Sequence, residues 1–292
     1  MNGILVLDKP LGKTSHDMVS LLRRLTRIRR IGHTGTLDPE ATGVLPVCIG
    51  IATKAADLLT FSDKKYRAEL VLGMTTDTLD AEGEVLTECP VHCTEEEIRR
   101  AVMSFTGEIE QVPPMYSAIK QNGKKLYELA RKGITVERKK RKVQILSIDI
   151  LKIEDVRVTM DVHCSKGTYI RTLCEDIGLR LGVGAYMNRL QRRGTGRFTI
   201  EEAHSVQEVC RRAEEGTLEE LLVPVDCLFE QAPALTVNET QKQRVVNGAR
   251  LPWAGLEEGQ TYRVYDGQQK FLCLSRFEDG VLRLEKAFWQ GG

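Results

Sequence analysis

Two stretches of the chain alternate apolar and polar residues with the two-residue period of a half-buried strand, and that period does most to limit the fold. Tyr66, Ala68, Leu70 and Leu72 alternate with Arg67, Glu69 and Val71, while Val156, Val158, Met160, Val162 and Cys164 alternate with mostly polar neighbours. Residues 143–153 predict a third strand, and Ile4-Leu5-Val6-Leu7 is a short apolar run. Helical spacing appears elsewhere. Met18, Leu21, Leu22 and Leu25 follow Thr14, which can cap a helix with Asp17; Ile98, Ala101, Val102 and Phe105 follow Thr94, with Glu97 as capping-box partner. Strands and helices mix without a βαβ rhythm, which favours an α+β fold over a doubly wound sheet.

After an acidic stretch at 201–222, expected as a helix, Pro224 and Pro233 mark a boundary. Beyond it lie a short helix over roughly 238–247, strand patterns at 261–265 and 271–274, and an Asp279-Gly280 turn into Val281-Leu282-Arg283-Leu284. These predict a small β-rich module at 231–292 behind a large domain at 1–230, a division that suits a length of 292 residues.

Hydrophobic residues make up 41% and charged residues 28% of the chain, ordinary values for a globular protein. No apolar run approaches the roughly 18 residues of a membrane span. Met1-Asn2-Gly3 leads into a strand rather than a secretory signal, so a cytoplasmic protein is expected. Eight scattered cysteines read as reduced thiols, and Cys89-Pro90-Val91-His92-Cys93 has no second pair at ligand spacing, so no metal is expected. The net charge of +1 hides a segregation: residues 120–142 hold ten Lys or Arg, whereas 201–230 hold nine acids. The basic tract lies in an excursion over about 113–142 that breaks the strand pattern, a candidate polyanion-binding loop with solvated surface as the bland alternative.

Gly32-His33-Thr34-Gly35-Thr36-Leu37-Asp38-Pro39-Glu40-Ala41-Thr42-Gly43-Val44-Leu45 sets one carboxylate, Asp38, among small residues. Glycines allow conformations a Cβ obstructs, and Pro39 restricts the residue before it, so the loop is either an ordinary turn or a displayed nucleophile. Arg171, at a strand-to-helix transition, is placed to reach a buried acid, and a pairing with Asp38 would hold its orientation and charge. Tyr66 begins a strand whose same-face residues are apolar, which puts its hydroxyl at a core edge for stacking or proton handling, or simply for packing. His33 is open between a loop hydrogen bond and a wedge replacing an extruded base. Gly12-Lys13-Thr14 lacks the earlier glycine of a phosphate-binding P-loop, because Leu7 stands there.

These pieces together resemble one family. Asp8-Lys9-Pro10-Leu11-Gly12-Lys13-Thr14-Ser15, the Gly32–Leu45 stretch, Lys65-Tyr66, Pro113-Pro114-Met115-Tyr116-Ser117-Ala118 and Gly167-Thr168-Tyr169-Ile170-Arg171-Thr172-Leu173 are similar to the successive motifs of the bacterial tRNA pseudouridine synthase B family, in family order. The resemblance implies a mixed, largely antiparallel central sheet flanked by helices, with a PUA-like RNA-binding module at the C-terminus. It implies isomerisation of uridine 55 in the T loop of tRNA, with no cofactor and no metal, by a stand-alone monomer that needs no protein partner. Asp38 would be the nucleophile, Arg171 its partner and Tyr66 the residue under the flipped base. Tyr169 and Leu190 would line the pocket, and His33 would fill the space the base leaves. The basic excursion would close over the T arm, with arginines 23–30 and Arg189, Arg192, Arg193 and Arg197 on phosphates. Two alternatives stand beside this: a guide-RNA-dependent rRNA pseudouridine synthase, and an RNA-binding or tRNA-folding protein whose site is vestigial.

Overall fold

The protein is described from a computed structural model covering residues 1–117, 119–121 and 123–289, with the side chains of Lys120 and Lys125 also left aside. Ala118 of the fourth motif, Asn122 of the basic excursion and residues 290–292 of the C-terminal module lie outside the described residues. The chain opens with β1 (Gly3–Lys9), α1 (Ser15–Thr26), β2 (Ile31–His33), β3 (Ala41–Ile49), α2 (Ala56–Phe61) and β4 (Lys64–Leu72). A hairpin of β5 (Met74–Thr76) and β6 (Val85–Glu88) leads to α3 (Glu95–Met103) and β7 (Gly107–Gln111). The excursion holds β8 (Lys120–Gln121), β9 (Lys124–Lys125) and α4 (Leu126–Ala130). Then come β10 (Arg141–Glu154), β11 (Arg157–Cys164), α5 (Ile170–Leu181), β12 (Ala185–Thr195), β13 (Phe198–Thr199), β14 (His204–Ser205) and α6 (Val206–Glu214).

Among the described residues ten of these strands form one sheet, ordered β14-β1-β3-β12-β4-β11-β10-β7, with β2 on β3 and β13 on β12. β14 runs parallel to β1 and β12 parallel to β3, and the other ladders are antiparallel, as the mixed α+β expectation requires. Alternation explains the layers. Val158, Met160, Val162 and Cys164 of β11 and Ala68, Leu70 and Leu72 of β4 pack under Ile98 and Val102 of α3 and Leu173, Cys174 and Ile177 of α5. β1 is covered on both faces: Leu5 and Leu7 meet Met18, Val19 and Leu22 of α1, whereas Ile4 and Val6 meet Leu59 of α2 and Phe198. Both predicted capping boxes are present, at Thr14 with Asp17 and at Thr94 with Glu97.

The acidic stretch is not one helix. It is a 3-10 turn at Ile200–Glu202, then β14, then α6 and a second 3-10 turn at Leu218–Leu221. His204 pairs in register with Leu7, Ser205 caps the following helix on the Glu208 amide, and Gly216 at φ 74° ends it. The excursion leaves and re-enters at one edge of the sheet, since Gln111 of β7 stands opposite Arg141 of β10.

The C-terminal sheet comprises β15 (Ala234–Thr236), β16 (Leu251–Pro252), β17 (Thr261–Tyr265), β18 (Phe271–Glu278) and β19 (Val281–Ala287), ordered β15-β17-β18-β19-β16, with α7 (Glu239–Val246) beside it. Asp279 and Gly280 take φ of 53° and 75°, the two left-handed positions of a tight hairpin turn. Leu274 of β18 and Phe288, which follows β19, join the cluster built from Ile4, Val44, Leu59 and Phe198, so the two sheets share a core.

Candidate functional site

Asp38 sits in a turn closed by the Ala41 amide, which donates to the Asp38 carbonyl at 3.1 Å. The turn is held from behind by the segment that carries the first motif. Ser15 is buried and its hydroxyl exchanges hydrogen bonds with the Leu37 amide (2.9 Å) and carbonyl (3.1 Å), while the Gly12 amide donates to Pro39 O at 2.9 Å. The Lys9 ammonium, fully buried, donates to the carbonyls of Pro10 (2.9 Å), Lys13 (2.5 Å) and Pro39 (3.2 Å). Burial lowers its pKa to about 8, against the nearby Glu40 and Asp38 carboxylates that favour the charge. The ordinary turn and the displayed carboxylate, alternatives in sequence, are therefore one object. The Gly12-Lys13-Thr14 run serves as its cradle.

β12 inserts between β3 and β4, and this register assembles the floor of the site. Leu190 stands opposite Ala41 on one side and Ala68 on the other; two residues along, Arg192 stands opposite Gly43 and Tyr66. A Cβ on Gly43 would lie 2.2 Å from the Arg192 carbonyl oxygen, and Gly43 has φ 103°, so the close approach requires glycine. Tyr66 and Leu190 are half-buried where the two main apolar clusters meet. Burial raises the Tyr66 pKa, opposed by the nearby guanidinium charge of Arg192.

Arg171 lies in the first turn of α5 with its side chain 7% exposed, and its Nη2 meets Asp38 Oδ2 at 3.0 Å. The buried partner of this pair is thus the arginine, because the Asp38 side chain is 43% exposed. Arg171 is also held by Asp80 Oδ2 (3.1 Å), the Thr78 carbonyl (3.3 Å) and the Tyr116 carbonyl (2.7 Å). Asp80 is a residue that the sequence reading missed. It sits between β5 and β6, 91 residues from Arg171, with Oδ1 accepting from the Thr78 hydroxyl at 2.5 Å, and no local pattern links it to Asp38. Tyr169 caps α5 and its backbone is gripped by Gln111, which donates to the carbonyl (3.2 Å) and accepts from the amide (3.0 Å); burial raises its phenol pKa. His33 ends β2, its Nδ1 buried without a partner, and burial together with Arg192 and His16 lowers its pKa.

The expected phosphate contacts divide. Arg192 is 1% exposed and faces no solvent, so it does not belong to that surface. Arg193 pairs with Glu201 (2.8 Å) and Arg197 with Glu230 (2.5 Å), while Arg189 stays exposed. Arg23, Arg27 and Arg29 line a notch with Ile28 at the end of α1, one short strand from His33. In the excursion Lys140 and Lys142 meet Glu110 (3.7 Å) and Glu108 (2.8 Å) of β7, whereas Lys139 is exposed and Arg138 donates to Pro113 O at 3.1 Å. Among the described residues no group of three or more His, Cys, Asp or Glu is placed to hold a metal ion, and no helix is long and apolar enough to cross a membrane.

The chain is similar in sequence and in fold to known proteins. Residues 23–170 match the model of the TruB family pseudouridylate synthase N-terminal domain, and residues 171–230 that of the tRNA pseudouridylate synthase B C-terminal domain. The tRNA pseudouridine synthase B of Clostridium perfringens (strain 13 / Type A) is 46% identical over 293 residues, covering 98% of each chain. That of Alkaliphilus oremlandii (strain OhILAs) is 49% identical over 251 residues, 86% of this chain and 83% of the relative. Among solved structures, a Cbf5-Nop10-Gar1 complex aligns with TM-score 0.73 at 27% identity, over 98% of this chain and 85% of the other. An H/ACA RNP bound to a substrate RNA containing 2′-deoxyuridine aligns with TM-score 0.72 at 25% identity, over 99% and 85%. With both family domains matched in order and full-length relatives near half identical, this chain belongs to the TruB family of pseudouridylate synthases.

Proposed function

We propose that this chain isomerises uridine 55 in the T loop of tRNA to pseudouridine, as a stand-alone cytoplasmic monomer without cofactor, with residues 1–230 as the catalytic domain and 231–292 as a PUA-like RNA-binding module. The observation that carries the reading is the Asp38–Arg171 pair at 3.0 Å, beside the apolar cluster that holds Leu37, Tyr66 and Leu190. The reaction breaks N1–C1′ and forms C5–C1′; the C5 proton leaves and N1 gains one, so it consumes neither redox equivalents nor phosphate. A carboxylate and proton handling suffice for that balance. Asp38 is the nucleophile: Arg171 holds Oδ2, and among the described residues no donor is bonded to Oδ1. Tyr66 lies under the flipped base and Tyr169 and Leu190 bound it, with His33, its Nδ1 unpartnered, entering the vacated space. Extrusion costs a few kcal/mol, less from a loop than from a duplex, which favours a loop uridine.

The test is tritium release from an isolated T-arm hairpin labelled at uracil C5. The wild-type chain alone is expected to release tritium, whereas a guide-dependent enzyme or a vestigial site gives none. Asp38→Asn is expected to bind the hairpin within about threefold of wild type and to release no tritium, about the loss expected when a nucleophile is removed. Turnover by that variant near the wild-type rate removes Asp38 from the role.

A further inference from the structure

Between β11 and α5 the chain passes β10 and β7 before it delivers Arg171 to Asp38, and it is fastened to each. On β10 the Ser165 amide donates to the Gln144 carbonyl at 2.8 Å, and the Ser165 hydroxyl accepts from the Gln144 amide at 2.9 Å. On β7 the fastening is a side chain: Gln111 Nε2 donates to the Tyr169 carbonyl at 3.2 Å, and Oε1 accepts from the Tyr169 amide at 3.0 Å. One carboxamide thus takes both backbone groups of one residue, as a neighbouring strand would. Gln111 is 2% exposed, and an apolar side chain of similar length would be cheaper to bury for packing alone. Tyr169 is the cap residue of α5 but offers no side-chain cap, and its carbonyl also takes a helical hydrogen bond from Leu173 at 3.0 Å. Holding Tyr169 at both groups sets where the first turn begins, and Arg171 stands two residues on.

Gln111 is also the last residue of β7, where the basic excursion leaves the sheet, opposite Arg141, where β10 takes the chain back. The residues after it form a short strut. Pro113 and Pro114 are buried and restrict the backbone between Gln111 and Tyr116. The Tyr116 carbonyl accepts from Arg171 Nη2 at 2.7 Å, and that same Nη2 meets Asp38. The Pro113 carbonyl accepts from Arg138 of the returning limb at 3.1 Å. Residues 111–116 therefore touch the cap of α5, the guanidinium that holds Asp38, and the basic tract. We infer that Gln111 is a positioning residue: its carboxamide fixes Tyr169 and the start of α5 so that Arg171 faces Asp38, and it joins that setting to the root of the excursion. Its effect on the rate rests on the proposed isomerisation; its effect on the backbone rests on the Gln111–Tyr169 hydrogen bonds alone.

A protonated carboxyl carries one donor and one acceptor, as a carboxamide does, whereas a carboxylate only accepts. Gln111→Glu is therefore a switchable copy of the clamp. Single-turnover tritium release at saturating hairpin, and hairpin Kd, are measured from about pH 5.5 to about pH 8.5, the range into which burial raises a carboxyl, for wild type, Gln111→Glu and Gln111→Met. Gln111→Met is expected to slow release about tenfold or more at every pH, while Kd changes by less than about threefold. Gln111→Glu is expected to be as slow at the alkaline end and to recover toward the wild-type rate as pH falls. Arg141 opposite on β10 and Arg171 on α5 are common to all three chains, so the ratio to wild type at each pH isolates the introduced carboxyl. Gln111→Glu keeps the shape of the side chain, so it carries the test if Gln111→Met fails to fold.

A ratio of Gln111→Glu to wild type that does not change with pH overturns the inference. So does a Kd that rises in step with the lost rate, which would make Gln111 an RNA contact despite its burial. Hydrogen exchange of the peptide covering residues 166–173 is read on the same chains without RNA, and at matched pH is expected to be faster in Gln111→Met than in wild type. If wild type itself releases no tritium, the proposed function fails, while this exchange still decides whether Gln111 holds the start of α5.

Discussion

Lys9 and Lys64 place ammonium groups where water does not reach, each on three backbone carbonyls. Burial lowers both from the ordinary 10.5 to about 8. Below the folded value both states hold the proton and the two lysines add no pH dependence. Between about 8 and 10.5 the folded chain has lost protons that the unfolded chain keeps, so stability rises with pH across that window. The urea midpoint of wild type is therefore expected to gain, between roughly pH 7.5 and pH 9.5, relative to Lys9→Met, and more relative to the Lys9→Met/Lys64→Met pair. Identical pH dependence in all three chains refutes the assignment. Neither lysine looks special in sequence. Lys9 stands in a motif and Lys64 begins a strand, but that both are buried follows from which loops close over them.

At the scale of elements, α1 ends on Arg27 in the left-handed conformation, φ 58°, at a position where glycine is usual. The side chain it keeps there joins Arg23 and Arg29 in the notch beside β2. Replacing it separates fold from function. Arg27→Gly is expected to stabilise the chain by about 0.5 to 1 kcal/mol through relief of the backbone. It should also weaken tRNA binding and flatten the slope of log K against log salt by about 0.7 to 0.9, one phosphate contact. Thermal melts and binding at two salt concentrations check both signs, and an unchanged slope makes the notch mere solvated surface. Helices and strands with strong periods were readable because each buries one face: the capping boxes at Thr14 and Thr94 and the alternation in β4 and β11 needed no distant partner. The acidic stretch was misread because His204 leaves the helical pattern to pair with β1, a contact made by Leu7 nearly two hundred residues earlier.

Across the whole molecule, the two sheets are joined by Phe229, Phe271 and Phe288, whose rings lie 5.1–6.0 Å apart, and by Tyr265 Oη donating to Asp226 at 2.6 Å. Phe288 is fully buried in a cluster that also contains Ile4, Val44 and Leu59 of the large sheet. Both tryptophans, Trp253 and Trp289, lie in the C-terminal module, so fluorescence reports that part while far-ultraviolet circular dichroism reports the whole. The two signals are expected to coincide during urea unfolding of wild type. Phe288→Ala removes a shared ring, worth about 3–5 kcal/mol, and fluorescence should then change at lower urea than dichroism. Coincident transitions in the variant would mean that the modules unfold together without this contact.

Periodicity, capping residues and the Asp279-Gly280 turn were enough, by themselves, to place β1, β4, β10, β11, α1, α3, the α+β class and the small β-rich module, while five motifs in order carried the resemblance to the TruB family. Those signals are local, set by which residues face water along one element or by what a backbone turn tolerates. Tertiary structure alone decided which charges meet: Asp80 behind Arg171, and Arg192 buried against Tyr66 instead of facing phosphate. Such pairings arise when β12 slides between β3 and β4, because register in a sheet is settled by burial and hydrogen bonding across strands distant in the chain. A side chain's fate as buried strut or exposed contact follows from that register, and no neighbour in sequence records it.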